Sequence, residues 1–200
     1  MRVFESWRTW TEAEPALRER LPGEVVDSLA RAYEFAAQWH GDQVRPAGEP
    51  YVEHLLQALE VAVEVAGATS LPVLTATLLH DVVEDTDCTI DEVRDKYGPE
   101  VAELVAWVTK PDPGPGDDPQ EFRQRYLGSF DEAPADVLVV KLSDRYSNVQ
   151  RLDTHPRPTK QASYYTETVR WFMPLAAGSA QFKAPFTQWR DKFAYLAAQD

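Results

Sequence analysis

Apolar residues recur at three- and four-residue intervals along most of the chain, and no segment alternates strongly as a half-buried strand would. The spacing predicts a helix over residues 25–39, with Val26, Leu29, Ala30, Tyr33, Ala36 and Ala37 on its apolar side. His40-Gly41 falls at its C-terminal end, where glycine commonly stops a helix. A second helix is expected over residues 70–85, with its one proline, Pro72, near the start, where a helix tolerates it. Residues 91–108 predict a third, interrupted at Gly98-Pro99, and residues 120–130 a fourth carrying Phe122, Tyr126 and Leu127. From residue 135 onward Leu138, Leu142, Val149 and Leu152 fall near one stripe. In the tail Trp189, Phe193 and Leu196 share a face, so that segment should pack on the domain as a last helix. The fold class expected is all-α.

Ionisable residues interrupt this pattern where they are most costly. The stretch Leu78-Leu79-His80-Asp81-Val82-Val83-Glu84-Asp85-Thr86 sets four ionisable side chains in an aliphatic run, which is unfavourable to bury unless they are paired or bound to metal. On a continuous helix His80 and Glu84 lie one turn apart on one face, and Asp81 and Asp85 on the neighbouring one. Asp144 and Asn148 stack likewise on the later helix. His40, His80, Asp81 and Asp144 together supply two imidazoles and two carboxylates, a donor set suited to one divalent metal. Glu84 and Asp85 would remain free to position or deprotonate an attacking water. Each segment read alone also fits a plainer account: a hydrogen-bonded core histidine, a solvated acidic helix end, or a charged helix face. The occurrence of a second His and a second Asp, each in its own ordered context, favours the metal. Between these helices Arg45-Pro46-Ala47-Gly48-Glu49-Pro50-Tyr51 reads as a loop able to grip an anion or a base, or as a simple connector.

These segments, taken in order, resemble the HD-type metal phosphohydrolases, and more closely the hydrolase domain of the RelA/SpoT alarmone enzymes. The resemblance rests on His40-Gly41-Asp42-Gln43 with Arg45, Gly48-Glu49-Pro50-Tyr51 and His54. It continues through His80-Asp81 with Glu84-Asp85, Val108-Thr109-Lys110, Lys141-Leu142-Ser143-Asp144-Arg145 with Asn148, Glu167-Thr168, and Pro174-Leu175-Ala176. It covers roughly residues 25–178 and implies there an HD-domain helical bundle, a metal-dependent phosphohydrolase domain; outside it lie an N-terminal extension over residues 1–24 and a C-terminal helix over 179–200 expected to pack on the domain. It also implies one Mn²⁺ held by His40, His80, Asp81 and Asp144, water activation by Glu84 and Asp85, and substrate contacts from Arg45, Lys141, Arg145 and Asn148. The implied reaction removes the 3′-pyrophosphate of (p)ppGpp, giving GDP or GTP and pyrophosphate. Three stretches depart from the usual pattern: Pro46 stands where a basic residue normally follows the loop arginine, Tyr146-Ser147 stands where the family has Leu-His, and the chain after Ala176 does not continue with the family's His-Arg-Leu-Gly. They keep open the same chemistry on another nucleotide: an adenosine alarmone, NADPH or a nucleoside monophosphate. A role as antitoxin to a partner synthetase and a non-catalytic nucleotide sensor are the other readings.

Composition narrows the partners. The formal charge is −13, which argues against a nucleic-acid binder and predicts that a phosphate-binding pocket would be a basic patch in an acidic shell. The only cysteine is Cys88, so neither a disulfide framework nor a cysteine metal site is available. No apolar run approaches the roughly 20 residues of a membrane span, and the charged first 20 residues carry no apolar signal core. The expectation is a cytoplasmic protein, monomeric or a homodimer, with no membrane or nucleic-acid partner. Lys110 to Asp118, where Pro111, Pro113 and Pro115 alternate with glycine and acids, should be an exposed loop, either a lid or a linker.

Overall fold

The computed structural model describes residues 1–198. Its helices are α1 (Trp10–Arg18), α2 (Gly23–His40), α3 (Tyr51–Glu64), α4 (Leu71–Leu79), α5 (Val82–Asp85), α6 (Ile90–Tyr97), α7 (Pro99–Val108), α8 (Pro119–Gly128), α9 (Ala135–Val149), α10 (Pro158–Glu167), α11 (Met173–Ala177) and α12 (Lys183–Phe193). Among the described residues there is no strand, only an isolated antiparallel bridge between Val44 and Pro50 that closes the loop after α2. None of these helices is long and apolar enough to cross a membrane.

Local chemistry sets the boundaries. α2 stops where Gly41 takes φ +52°, a left-handed conformation that a side chain would oppose. Gly98 at φ +90° likewise ends α6, and Pro99 starts α7. Thr89 and Glu92 form a capping box at the start of α6. The expected helix over residues 70–85 is broken, contrary to the sequence reading. α4 ends at Leu79, His80 and Asp81 form a turn, and α5 restarts with the Asp85 N–H donating to the Asp81 carbonyl at 2.8 Å. Asp81 sits at φ −103°, ψ −5°, so its side chain leaves the face it would take on a continuous helix.

Helix α3 is the axis of the molecule. Every residue from His54 to Val63 is buried, because α3 is packed by α4 and by α9. One apolar core joins α1, α2, α4, α6 and α7, and takes in Trp7, Leu17 and Leu21 of the first 24 residues. A second core gathers Phe4, Leu142, Tyr146 and Val149 with Phe172, Phe182, Phe186, Trp189 and Phe193. Trp189, Phe193 and Leu196 are buried, in line with their spacing, and the Trp189 indole N–H donates to the Val149 carbonyl at 2.8 Å. The last two residues of the expected C-terminal segment lie outside the described residues. Each buried apolar side chain of this kind contributes about 1.5–3 kcal/mol relative to exposure. The frame around α3 and α9 is therefore stiff where polar groups must be held.

Candidate metal centre and active site

Four donor residues converge between α3, α4 and α9. His54, His80, Asp81 and Asp144 each direct a ligand-type atom to one point, all within 4.8 Å of one another. His54 Nε2 lies 3.1 Å from His80 Nε2. Asp81 Oδ2 is 3.0 Å from His80 Nε2 and 3.5 Å from His54 Nε2, and Asp144 Oδ1 is 3.5 and 3.4 Å from the same atoms.

The hydrogen bonds behind the rings decide what these nitrogens present. His80 Nδ1 lies 2.8 Å from the Thr77 carbonyl, an acceptor only, so the Nδ1 proton is fixed there. His54 Nδ1 lies 2.9 Å from Ser147 Oγ, and that hydroxyl gives its own proton to the Asp144 carbonyl at 2.9 Å. Ser147 therefore accepts from His54, and the His54 proton is also on Nδ1. As neutral rings, both then present Nε2 lone pairs to each other across 3.1 Å, flanked by two carboxylate oxygens. Lone pairs and carboxylates so arranged repel unless a cation lies between them, and outer hydrogen bonds of this kind are how proteins orient metal-binding imidazoles. Burial works against charge on His80, but Asp81 and Asp144 more than reverse it and raise its pKa well above the usual value, so the site draws positive charge, either a proton on His80 or the ion that would replace it. Burial also raises Asp81 and Asp144; His80 on the first, and Lys141 with His80 on the second, hold both well below the usual carboxylate range. The donor set fits a divalent metal.

His40, expected from sequence as the first ligand, is not in this cluster. Its ring stacks on Tyr51, with centroids 4.5 Å apart, and Nδ1 meets Gln43 Oε1 at 2.9 Å. Its Nε2 is buried without a hydrogen-bond partner among the described residues. The physical reason is position: His40 ends α2, whereas His54 sits on α3, packed directly against the α9 helix that carries Asp144. A signal for His54 was present in the sequence. It opens a helix that is apolar on nearly every side (Leu55, Leu56, Ala58, Leu59), so a histidine there must be buried and satisfied.

The two carboxylates of the cluster, Asp81 and Asp144, line a cavity of about 250 Å³ together with Tyr51, Glu84, Asp85, Lys110, Arg123, Lys141, Arg145, Asn148 and Tyr164. Tyr51, another residue absent from the expected site, approaches two acids, with its hydroxyl 2.6 Å from Asp81 Oδ2 and 2.5 Å from Asp85 Oδ2. Burial and then Asp81 raise its pKa far above the phenol range, so its proton stays on. Glu84 accepts from the Lys110 backbone N–H at 2.9 Å and from Lys110 Nζ at 3.1 Å. The exposed 110–118 loop thus starts from a contact with that acid.

The expected basic pocket is not what the geometry shows. Each cation lining the cavity is paired: Lys110 with Glu84, Arg123 and Arg145 with Glu167, and Lys141 with Asp144. Arg145 spends its donors on Thr168 Oγ1, Glu167 Oε1 and the Tyr164 carbonyl, so it braces the wall rather than offering a free guanidinium. Four cations face five carboxylates there, and a divalent ion is what turns the balance positive. Asn148 donates to Asp144 Oδ1 at 2.5 Å and accepts from the Arg45 guanidinium. That link joins the metal cluster to a second cleft, lined by Arg45, Pro46, Glu49, His54, Ser147, Asn148, Arg151 and His155 among others.

The HD domain family matches residues 32–179. The chain belongs to that family. It is 35% identical over 175 residues to a guanosine-3′,5′-bis(diphosphate) 3′-pyrophosphohydrolase of Aquifex aeolicus, covering 85% of this chain and 24% of that protein. It is 34% identical over 161 residues to the bifunctional (p)ppGpp synthase/hydrolase SpoT of Escherichia coli K12, covering 78% of this chain and 22% of that protein. The chain therefore spans about a quarter of the length of these relatives. A solved structure described as a metazoan ortholog of SpoT that hydrolyzes ppGpp superposes with a TM-score of 0.74 at 25% identity, covering 82% of this chain and 94% of that one. The HD-domain helical bundle expected from sequence is the fold observed.

Proposed function

We propose that this protein hydrolyses the 3′-pyrophosphate of (p)ppGpp with one divalent metal, Mn²⁺ by preference, releasing GDP or GTP and pyrophosphate. The observation that carries the reading is the convergence of two lone-pair imidazole nitrogens and two carboxylates beside a cavity that also holds Glu84 and Asp85. The names and chemistry of the relatives support the substrate class. His54, His80, Asp81 and Asp144 would hold the ion, with His54 in the place first expected for His40. The chemistry such an ion supplies is Lewis acidity, which acidifies water and neutralises phosphoryl charge.

The chain's own residues do the rest. Glu84 and Asp85 take the proton of the attacking water, Tyr51 keeps Asp85 oriented against Asp81, and Lys110 holds Glu84. The water oxygen adds to the phosphorus bound to the 3′ oxygen; that P–O bond breaks and its electron pair, with a proton, stays on the 3′ hydroxyl. Arg45 and Asn148 steer the nucleoside into the cleft they line, and Lys141 holds Asp144 while facing the phosphates. The catalytic unit is residues 25–178, acting in the cytoplasm on an alarmone nucleotide.

Purified protein incubated with Mn²⁺ and ppGpp, with ppApp and NADPH in parallel, and resolved by ion-exchange chromatography tests this. GDP with pyrophosphate, lost on chelation, is the expected result. Intact ppGpp beside a cleaved alternative would move the assignment to that nucleotide, an outcome that Pro46 and Ser147 make worth including. Cleavage of none would leave a nucleotide-binding protein.

A further inference from the structure

The first seven residues have no regular secondary structure, yet they are tied down at almost every step. The Tyr146 hydroxyl donates to the Arg2 carbonyl at 2.9 Å. Gln150 treats Phe4 as a strand neighbour would, accepting from its N–H at 2.6 Å and donating to its carbonyl at 2.9 Å. The same Gln150 amide donates to Gln57 Oε1 at 3.2 Å, and the Ser6 N–H donates to Glu60 Oε2 at 2.9 Å. Phe4 is buried with its ring edge-on to Tyr146. These tethers all come from α3 and the end of α9, the two helices that carry His54, Asp144 and Asn148.

Glu5 lies between two of the anchored residues and holds Arg151. Its Oε2 accepts from Arg151 Nη1 at 2.8 Å, while Arg151 Nη2 reaches Glu49 Oε1 at 3.4 Å. Glu49 closes the loop that begins at Arg45, its carbonyl accepting from the Arg45 N–H at 2.8 Å. Arg45, Glu49 and Arg151 all line the second cleft, and Glu5 does not. An exposed ion pair usually contributes little because two long side chains must be immobilised to make it. Here the backbone on both sides of Glu5 is already fixed, so the pair need not order the backbone as well, and the planar fork of Arg151 spans two carboxylates.

We propose that residues 1–7 are a positioning strap for substrate binding. Through Glu5 and Arg151 they hold the Arg45–Glu49 loop against the nucleoside cleft, with no part in metal binding. The role for substrate rests on the reading of that cleft given under Proposed function; the mechanical link does not. Arg151 acts here by placing the loop, and Glu5, which does not line the cleft, separates that role from direct contact with nucleotide.

The test compares Glu5→Gln, Arg151→Lys, Arg151→Met and the double variant Glu5→Gln/Arg151→Met in the full chain. It measures amide hydrogen exchange over residues 44–51, KM and kcat for ppGpp, and bound Mn²⁺. Glu5→Gln should lower protection of the Arg45 and Gly48 amides and raise KM by about 2–5-fold, the range for a partly exposed pair, with kcat and metal content unchanged. Arg151→Lys should recover part of what Arg151→Met loses, and the double variant should be no worse than Arg151→Met alone. Loop protection unchanged in Glu5→Gln overturns the strap. So does a KM that rises in Arg151→Met but not in Glu5→Gln, which would make Arg151 a direct nucleotide contact. Protection lost while KM stays constant keeps the strap and overturns the cleft as the nucleoside site. Should Arg151→Met fail to fold, Glu5→Gln decides alone.

Discussion

Ser147 gives the sharpest test of how the metal centre is built, because it binds no metal itself. Its hydroxyl accepts the His54 Nδ1 proton at 2.9 Å and passes its own to the Asp144 carbonyl at 2.9 Å. His54 is 1% and Ser147 5% exposed. Ser147→Ala therefore takes the one protein acceptor from a buried Nδ1–H, at a cost of up to about 1–3 kcal/mol, reduced to the extent that water from the second cleft, which both residues line, replaces the hydroxyl. The ring can escape by moving its proton to Nε2, but that aims a proton into the cluster where a lone pair is required. Loss of such an outer hydrogen bond typically weakens metal binding ~10–100-fold, equivalent to about 1.4–2.8 kcal/mol, the same range as the stranded donor. Competition for Mn²⁺ between apo-protein and a chelating dye measures it directly. His54→Ala should abolish the site, whereas Gln43→Ala, which frees His40 and the Asp85 carbonyl but touches none of the four clustered donors, should leave affinity within about twofold of wild type. If Ser147→Ala binds Mn²⁺ as tightly as wild type, the tautomer assignment is wrong, and with it the argument that two opposed lone pairs demand a cation.

Three other outcomes follow from the same geometry. Tyr51→Phe removes the hydroxyl that approaches both Asp81 and Asp85; kcat should fall about 10-fold or more with metal retained, and an unaltered kcat would reduce Tyr51 to packing. Glu84→Gln should keep its ion but lose on the order of 10²–10⁴ in kcat, while undiminished turnover would pass the role of base to Asp85. Glu167 links pH to stability. Burial pushes its pKa up, but Arg123 and Arg145 more than reverse this and leave it lowered. Its contribution is thus complete above the unfolded carboxyl value of about 4.3 and is lost as pH falls through the lower folded value. In urea titrations the deficit of Glu167→Gln relative to wild type should be full at pH 7 and shrink below about pH 4; a deficit that grew on acidification would contradict the sign.

Much of the helical frame was legible because it rests on local rules. The end of α2 at His40-Gly41, the break at Gly98-Pro99 and the buried stripe of Trp189, Phe193 and Leu196 follow from backbone freedom, a missing N–H and helical periodicity. Three of the four clustered donors, His80, Asp81 and Asp144, were legible too, since charges inside aliphatic runs need a reason. The break at His80-Asp81 was not, because nothing in Leu79-His80-Asp81-Val82 disfavours a helix. The turn aims His80 Nε2 and Asp81 Oδ2 at His54 and Asp144 across the molecule, a convergence that no local rule contains.

The choice between His40 and His54 lies at the same boundary. Spacing places both in polar-to-apolar contexts, but it cannot say which helix lies against α9, and that packing brings His54 to Asp144 and leaves His40 beside Tyr51. The charge of the pocket escaped for a related reason. A count of lysines and arginines near the motifs cannot show that Arg145 and Arg123 both turn to Glu167, residues distant in the chain. By itself, then, the sequence determined which residues were chemically restless and which helices would carry them. Only the tertiary structure decided which side chains meet, because a donor's partner depends on distance in space, and distances across helices are set by how their apolar faces pack.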